Sequence, residues 1–134
     1  MKSSQEIISP ETQVTIKSRV NRTESQTKVE SSILNMVTES NTPTELENDY
    51  VIVNGNLSLL EKIKKRIINN GEEDLLTSIL EKNRTNSSLT FYINKQSAFN
   101  GRLHLIDEDM STLGDIKVEI FTGNIDEIVN WLKS

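Results

Sequence analysis

The chain has 134 residues and no cysteine, and its fifteen basic and twenty acidic residues give a net charge of −5. The absence of cysteine excludes thiolate metal sites, dithiol redox chemistry and a cysteine nucleophile. Because sequence-independent nucleic-acid affinity comes mainly from neutralising phosphates, a net-acidic protein could bind RNA only through a local basic patch.

The length suits one compact domain with one core. We expect a mobile tail over residues 1–12, where no periodicity is evident, and a single domain over residues 13–134. The tail lacks the apolar run of a signal peptide, and no window approaches the ~20 apolar residues that span a membrane. The sequence therefore predicts a soluble, cytoplasmic protein.

The first half of the domain alternates strands and helices. Residues 14–20 alternate apolar and polar side chains and predict a half-buried strand whose polar face is basic. Thr23 and Gln26 have the spacing of a capping box, which predicts a helix to about Val37. Pro43 predicts a loop, residues 50–53 a second strand, and Ser58 with Glu61 the start of a second helix.

The second half adds a helix that begins near Glu72, strands over residues 89–94, 101–107 and 115–121, and a final helix after Asn124. A run of adjacent strands combined with helices predicts an α+β fold. We expect a largely antiparallel sheet with helices packed on one face, in a two-layer sandwich.

If helices cover one side of the sheet, strand alternation assigns a set of polar residues to the other, open side. That set is Thr15, Lys17, Arg19, Thr90, Tyr92, Arg102, His104 and Lys117. Basic side chains beside an exposed ring suit single-stranded RNA, because the charges hold phosphates and the ring stacks on bases. An ordinary solvated sheet face explains the same pattern, and Glu119 on this face weakens the basic patch.

A second candidate is the polar corner after the strand at residues 89–94. Asn94, Lys95 and Gln96 supply several hydrogen-bond donors that can hold a phosphate, although such residues also satisfy backbone groups where a strand ends. The outward residues of the second helix, Lys62, Lys65 and Arg66, can add phosphate contacts only if that helix lies near this corner. Otherwise they only keep the helix solvated.

Catalysis has little support in this sequence. His104 is the single histidine, and no serine or cysteine motif accompanies it. Walker, dinucleotide-binding and zinc-protease motifs are absent, so we predict no catalytic residues, no metal and no cofactor.

Several blocks of the chain, taken together, resemble a small archaeal family of uncharacterised proteins that is related to the predicted RNA-binding or exosome-associated proteins of archaea. These blocks are Arg22-Thr23-Glu24, Lys28-Val29, Leu34-Asn35, Thr90 to Ala98, Gly101, Leu113 to Ile116 and Trp131-Leu132. Arg22 and Thr112 stand where that family has proline. The resemblance implies a fold like that of the large-subunit ribosomal protein that contacts five-S ribosomal RNA.

Two functional hypotheses follow. The first is RNA binding through Lys17, Arg19, Tyr92, Asn94, Lys95, Gln96, Arg102, His104 and Lys117. The second is a non-catalytic interaction subunit that docks on a protein of an RNA-processing or translation assembly, which the acidic balance suits.

Overall fold

The computed structural model describes residues 12–39, 41–107 and 114–134. Its strands are β1 Gln13–Arg19, β2 Glu45–Glu47, β3 Tyr50–Gly55, β4 Ser88–Ile93, β5 Leu105–Ile106 and β6 Ile116–Phe121. They form one sheet in the order β2-β3-β1-β6-β4-β5, and every neighbouring pair is antiparallel. The first and last strands in the chain, β1 and β6, therefore lie side by side at the centre of the sheet.

Five helices occur in the described ranges: α1 Gln26–Leu34, α2 Glu61–Asn69, α3 Glu73–Asn83, α4 Lys95–Phe99 and α5 Ile125–Leu132, with a 3-10 turn at Leu57–Leu60 before α2. Their buried apolar side chains join those of the strands in one continuous core. The helices therefore cover one side of the sheet, and the predicted α+β class with a mostly antiparallel sheet is confirmed.

Strand alternation determines which side chains enter the core. In β1, Val14, Ile16 and Ser18 are buried, whereas the residues between them are half-buried or exposed. The same alternation continues in β6, and Phe91 of β4 is fully buried. Apolar side chains at every second position thus pack against the helices, and the intervening side chains lie on the opposite side of the sheet.

Helix α1 begins later and ends earlier than the sequence predicted. Ser25, not Thr23, is its N-cap and accepts a hydrogen bond from the Lys28 amide at 3.4 Å. The helix ends at Leu34 rather than Val37, because the Asn35 side chain donates to the carbonyls of Ala98 and Phe99 at 3.0 and 3.2 Å. These bonds tie the end of α1 to α4.

Strand β2 was not predicted. It pairs with β3 through a two-residue turn in which Asn48 and Asp49 have φ of 52° and 67°. Positive φ at both central residues is the geometry of a type I′ hairpin, and Asn and Asp tolerate it better than other residues with a side chain. The hairpin places the short acidic strand Glu45–Glu47 at one edge of the sheet.

The predicted strand over residues 101–107 is wrong in length, since only Leu105–Ile106 pairs with β4. The preceding residues are occupied by the exit from α4: the Arg102 amide donates to the Ser97 carbonyl at 2.8 Å, and Gly101 has φ of 78°. Arg102 and His104 therefore lie in a coil beside the sheet edge and not in a strand.

The predicted tail falls mainly on residues 1–11, which are outside the described residues. Thr12, which we assigned to the tail, is 2% exposed and shares a 3.0 Å hydrogen bond with Thr122. The described fold thus begins one residue earlier than expected. The division into a tail and one domain stays a prediction.

Candidate nucleic-acid interface

The open side of the sheet presents one row of side chains that crosses all six strands. Successive partners in this row are Glu45, Ile52, Lys17, Lys117, Tyr92 and Ile106. Lys17 and Lys117 occupy the two central strands, and Tyr92 is the next partner of Lys117. We call Lys17, Arg19, Tyr50, Tyr92 and Lys117 the sheet-face cluster.

Two like charges face each other at the centre of this cluster. Lys17 of β1 is the direct partner of Lys117 of β6, and like charges in such positions repel. Glu119 approaches Lys117, with 3.5 Å between the ammonium nitrogen and the carboxylate oxygen. Lys17 has no ion pair within the described residues, and its ammonium lies 5.3 Å from the centre of the Tyr50 ring. The one nearby carboxylate therefore pairs with Lys117 and leaves the Lys17 ammonium without an ion pair among the described residues.

Aromatic rings flank the two lysines on both sides. Tyr92 is half-buried on β4, and Tyr50 is half-buried on β3 directly opposite Arg19. Tyr50 was not among the residues predicted for this face, although alternation along residues 50–53 places it on the side opposite Val51. Phe121, at the end of β6, adds a ring that is 42% exposed. The face thus combines cations and rings.

Acidic residues are concentrated at one edge of the same face. Glu45 and Glu47 of β2 are exposed, and both lie beside β3. In the opposite half of the face, over β6, β4 and β5, Glu119 is the only acidic residue among the described strand residues. The electrostatic field therefore favours an anion over β1, β6 and β4 and disfavours one over β2.

Arg19 closes β1, and its side chain is exposed with Nε donating to Asn21 Oδ1 at 3.1 Å. The remaining guanidinium donors face no carboxylate within 4 Å in the described residues. Arg19 therefore belongs to the open face as predicted, at the same end of the sheet as Tyr50.

The predicted corner at residues 94–96 has a different construction. Asn94 is the N-cap of α4, and its side chain accepts from the Ser97 amide at 2.8 Å. Lys95 is 5% exposed: its ammonium donates to the Arg19 carbonyl at 2.8 Å and to both Glu24 oxygens at 3.1 and 3.2 Å. Only Gln96 presents its side chain to solvent. The structure therefore does not bring these three side chains into one exposed donor cluster.

Glu24 is the acid that neutralises Lys95. Partial burial by itself raises the pKa of Glu24, but hydrogen bonds from the Asn21 amide and side chain, together with Lys95, lower that pKa below its usual value overall. The Asn21 bonds measure 3.0 and 2.8 Å. This buried pair joins the segment before α1 to the start of α4, and its role is structural.

Arg102 and His104 are both exposed, in the coil that leads into β5. The His104 carbonyl accepts from the Asn94 amide at 2.9 Å, which continues the β4–β5 pairing by one bond. The structure thus places His104 at the border of the open face and Arg102 beyond it. Neither belongs to the six-strand row.

Within the described ranges, no group of three or more histidine or acidic side chains is arranged to hold a metal ion. None of the helices described is both long and apolar enough to cross a bilayer.

Comparison with known proteins places the chain among archaeal relatives. A family model described as RNA binding matches residues 13–122. The UPF0201 protein of Methanothermobacter thermautotrophicus is 33% identical over 119 residues, which cover 89% of this chain and 89% of that protein. The UPF0201 protein of Methanocaldococcus jannaschii is 31% identical over 122 residues, covering 90% of this chain and 70% of that protein.

A crystal structure of a UPF0201 protein from Methanococcus jannaschii superposes with a TM-score of 0.70 at 28% identity, covering 90% of this chain and 92% of that one. The family model spans most of the chain, and both curated relatives exceed 30% identity over nearly all of it. This chain therefore belongs to the UPF0201 family of archaeal proteins.

Proposed function

We propose that this protein binds single-stranded segments of RNA on the open side of its sheet. Lys17, Lys117 and Arg19 hold the phosphates, and Tyr92 and Tyr50 provide faces on which unpaired bases stack. The description of the family model, RNA binding, supports the same class of ligand. Catalysis is not part of the proposal.

The observation that carries the proposal is the direct opposition of Lys17 and Lys117. Such a pair costs stability when it stands alone, because like charges on neighbouring strands repel. A bound phosphate between the two ammonium groups turns that repulsion into attraction from both sides. The adjacent Tyr92 then lies next to the phosphate, where a stacked base needs a ring.

The charge distribution gives the RNA a direction on the sheet. Repulsion from Glu45 and Glu47 keeps the backbone away from the β2 edge, and the strand is expected to run over β1, β6 and β4 toward β5. We expect substitution of Glu119 to strengthen binding, because it removes the carboxylate that competes for Lys117.

Fluorescence anisotropy with a labelled single-stranded RNA at two salt concentrations tests the proposal. The variant Lys17→Glu/Lys117→Glu is expected to lose most of the salt-dependent affinity, and Tyr92→Ala to lose affinity with an unchanged salt dependence. Lys82→Glu/Arg84→Glu is the matched control, because it makes the same charge change at residues already paired with Asp107 and Glu81. Equal binding by the sheet variant and the control would refute the proposal.

A second candidate function, a protein-interaction subunit, is favoured by the β2 edge. Glu45 and Glu47 flank Leu46, which is 53% exposed, on a strand whose outer side has no partner among the described residues. An extended basic peptide would suit this edge. A partner recovered after nuclease treatment, and lost with Leu46→Asp, would support docking; recovery of nuclease-sensitive material alone would count against it.

Three finer points belong to the same proposal. We infer a cytoplasmic location, association with an RNA-processing assembly such as the exosome, and a kinship of the fold with the ribosomal protein that contacts five-S ribosomal RNA. The association and the fold kinship rest on the resemblance described above and on the RNA-binding description of the family model, whereas the location is the one that the sequence predicts.

A further inference from the structure

Helix α2 carries the densest group of cations in the chain. Lys62, Lys64, Lys65 and Arg66 are four of its fifteen basic residues and lie within five consecutive positions. Ile63 and Ile67 fix the helix to the core, which leaves the basic side chains half-buried or exposed at the surface. This group is on the helix layer and is not part of the sheet-face cluster.

The structure connects this helix to the border of the sheet. Arg66 Nη1 donates to the Gly101 carbonyl at 2.5 Å, so the end of α2 lies against the turn that follows α4. Arg102 comes next in the chain, and His104 is bonded through its carbonyl to Asn94 at the end of β4. The coil 101–104 therefore links α2 to the strand that carries Tyr92.

The cations along this link have few internal partners. The Lys64 ammonium lies 4.3 Å from the centre of the Trp131 ring, and the Arg66 guanidinium donates to the Gly101 carbonyl. Lys62, Lys65 and Arg102 have no carboxylate within 4 Å among the described residues, unlike Lys82, Arg84 and Lys95 elsewhere in the protein. Three charges thus remain for an external anion.

We propose that the RNA bound on the sheet face continues around the β5 edge and across the coil 101–104, so that its phosphates reach Lys62 and Lys65 on α2. This inference rests on the proposed function and adds a second surface to it. We call Lys62, Lys65 and Arg102 the helix track. The helix track implies an RNA long enough to extend beyond the sheet. Its bases contact the sheet face, and only its phosphate backbone contacts α2.

The charge pattern favours an RNA backbone over other anions. An acidic peptide would meet the helix track alone, with no reason to involve the exposed His104 between the track and the sheet. A phosphate backbone needs successive cations along a path, and Lys117, Arg102, Lys65 and Lys62 supply them from the sheet to α2. The tyrosine rings on which bases would stack, Tyr50 and Tyr92, lie at the sheet end of this path.

The magnitude follows from counterion release. Each phosphate contact to a single strand contributes about 0.7 to the slope of log affinity against log salt, so loss of the three track contacts lowers that slope by about 2. If the parent and the variant bind equally at 1 M salt, a slope difference of that size makes the variant bind about 50-fold more weakly at 0.15 M salt.

The test compares two RNA lengths, chosen from the range of about 4 to about 16 nucleotides that single-strand-binding domains such as the OB fold cover. A labelled RNA of about 5 nucleotides covers the sheet face only, and one of about 16 nucleotides reaches α2. The variant Lys62→Glu/Lys65→Glu/Arg102→Glu is expected to bind the short RNA like the parent chain and the long RNA at least about 50-fold more weakly, with a lower salt slope. Thermal unfolding by circular dichroism verifies that the variant is folded.

The outcomes separate this inference from the proposed function. If the track variant binds both RNAs like the parent while Lys17→Glu/Lys117→Glu does not, the helix track is wrong and the sheet site stands. If the track variant loses the short RNA equally, the track is not an extension of the sheet site and the inference is overturned. A parent chain without salt-dependent RNA binding overturns both. If the parent chain binds anionic lipid vesicles and the track variant loses that binding with its RNA binding unchanged, only the helix track is overturned.

Discussion

The buried pair of Lys95 and Glu24 gives the most direct test of the packing at the end of the sheet. We expect Lys95→Met to destabilise the protein, because it leaves the Glu24 carboxylate largely buried, with 14% of its side chain exposed, and without its cation. Methionine keeps the length and apolar stem of lysine, so the change removes the charge and three hydrogen bonds with little loss of volume.

The ion pair with Lys95 and the two hydrogen bonds from Asn21 to Glu24 determine how much unfolding free energy is lost. Removing one partner of a buried ion pair costs roughly 3–5 kcal/mol, because the remaining charge is uncompensated. Glu24 still accepts two hydrogen bonds from Asn21, which places this pair at the lower limit, at about 3 kcal/mol. For a chain of this size, that loss corresponds to a fall in Tm of about 10 °C.

The assay is urea unfolding at pH 7, followed by the fluorescence of Trp131, with the free energy taken by linear extrapolation. Lys28→Met is the matched control, since Lys28 is an exposed lysine near the same segment and its loss is expected to cost less than about 0.5 kcal/mol. The double variant Glu24→Gln/Lys95→Met is expected to recover part of the loss. A Lys95→Met protein within about 1 kcal/mol of the parent would refute the buried-pair reasoning.

Three further predictions concern single positions. Because the folded-state pKa of Glu24 is lowered, the stability that its carboxylate contributes is complete above a pH of about 4.5 and is lost as the pH falls. The difference in unfolding free energy between the parent and Glu24→Gln, measured by urea titration, should therefore shrink below that pH. Gly114→Ala is expected to lower the unfolding free energy by roughly 1 kcal/mol, since φ is 83° there; equal melting temperatures would contradict this. Lys17→Ala should be more stable relative to the parent at low salt than at high salt, by up to ~1 kcal/mol, because it relieves the repulsion from Lys117, while it weakens RNA binding; a stability difference that does not depend on salt would contradict the repulsion.

Long, strongly periodic segments were predictable from sequence, whereas short elements were not. The strands around Ile16 and Val118 alternate over at least five residues, and the structure places the expected side chains on the expected sides. In β4, Thr90 pairs with Glu119 as the open face requires, but it is only 8% exposed and so does not contribute to that face as predicted. The final helix likewise buries Ile125 and Ile128 as its periodicity predicts. In such segments each apolar residue supports the same orientation.

The missed elements depend on contacts that a local pattern does not contain. Helix α4 has five residues and one cap, Asn94, so its periodicity covers little more than one turn. Strand β2 exists because the turn at Asn48 and Asp49 returns the chain onto β3, and Asn-Asp is a weaker turn signal than Asn-Gly. The predicted strand at residues 101–107 failed because the exit from α4 uses Gly101 and Arg102 for its own hydrogen bonds.

The same distinction applies to the candidate site. Alternation alone placed Lys17, Tyr92 and Lys117 on the open face, and the pairing register brought them into one row. Nothing in the sequence around Lys95 indicated that a glutamate 71 positions earlier would bind its ammonium. A lysine in a polar stretch resembles a ligand-binding residue until the long-range contact that buries it is known.

Net charge alone is therefore a poor guide to what this surface binds. The −5 of the whole chain includes the acids of the β2 edge and Glu24, which is already neutralised by a buried lysine. What an external anion meets is the local arrangement: opposed lysines on the sheet face and a basic set on α2, with the β2 acids at the far edge. Since screening at physiological salt limits charge effects to about 8 Å, an RNA over β6 and β4 responds to these neighbours more than to the total.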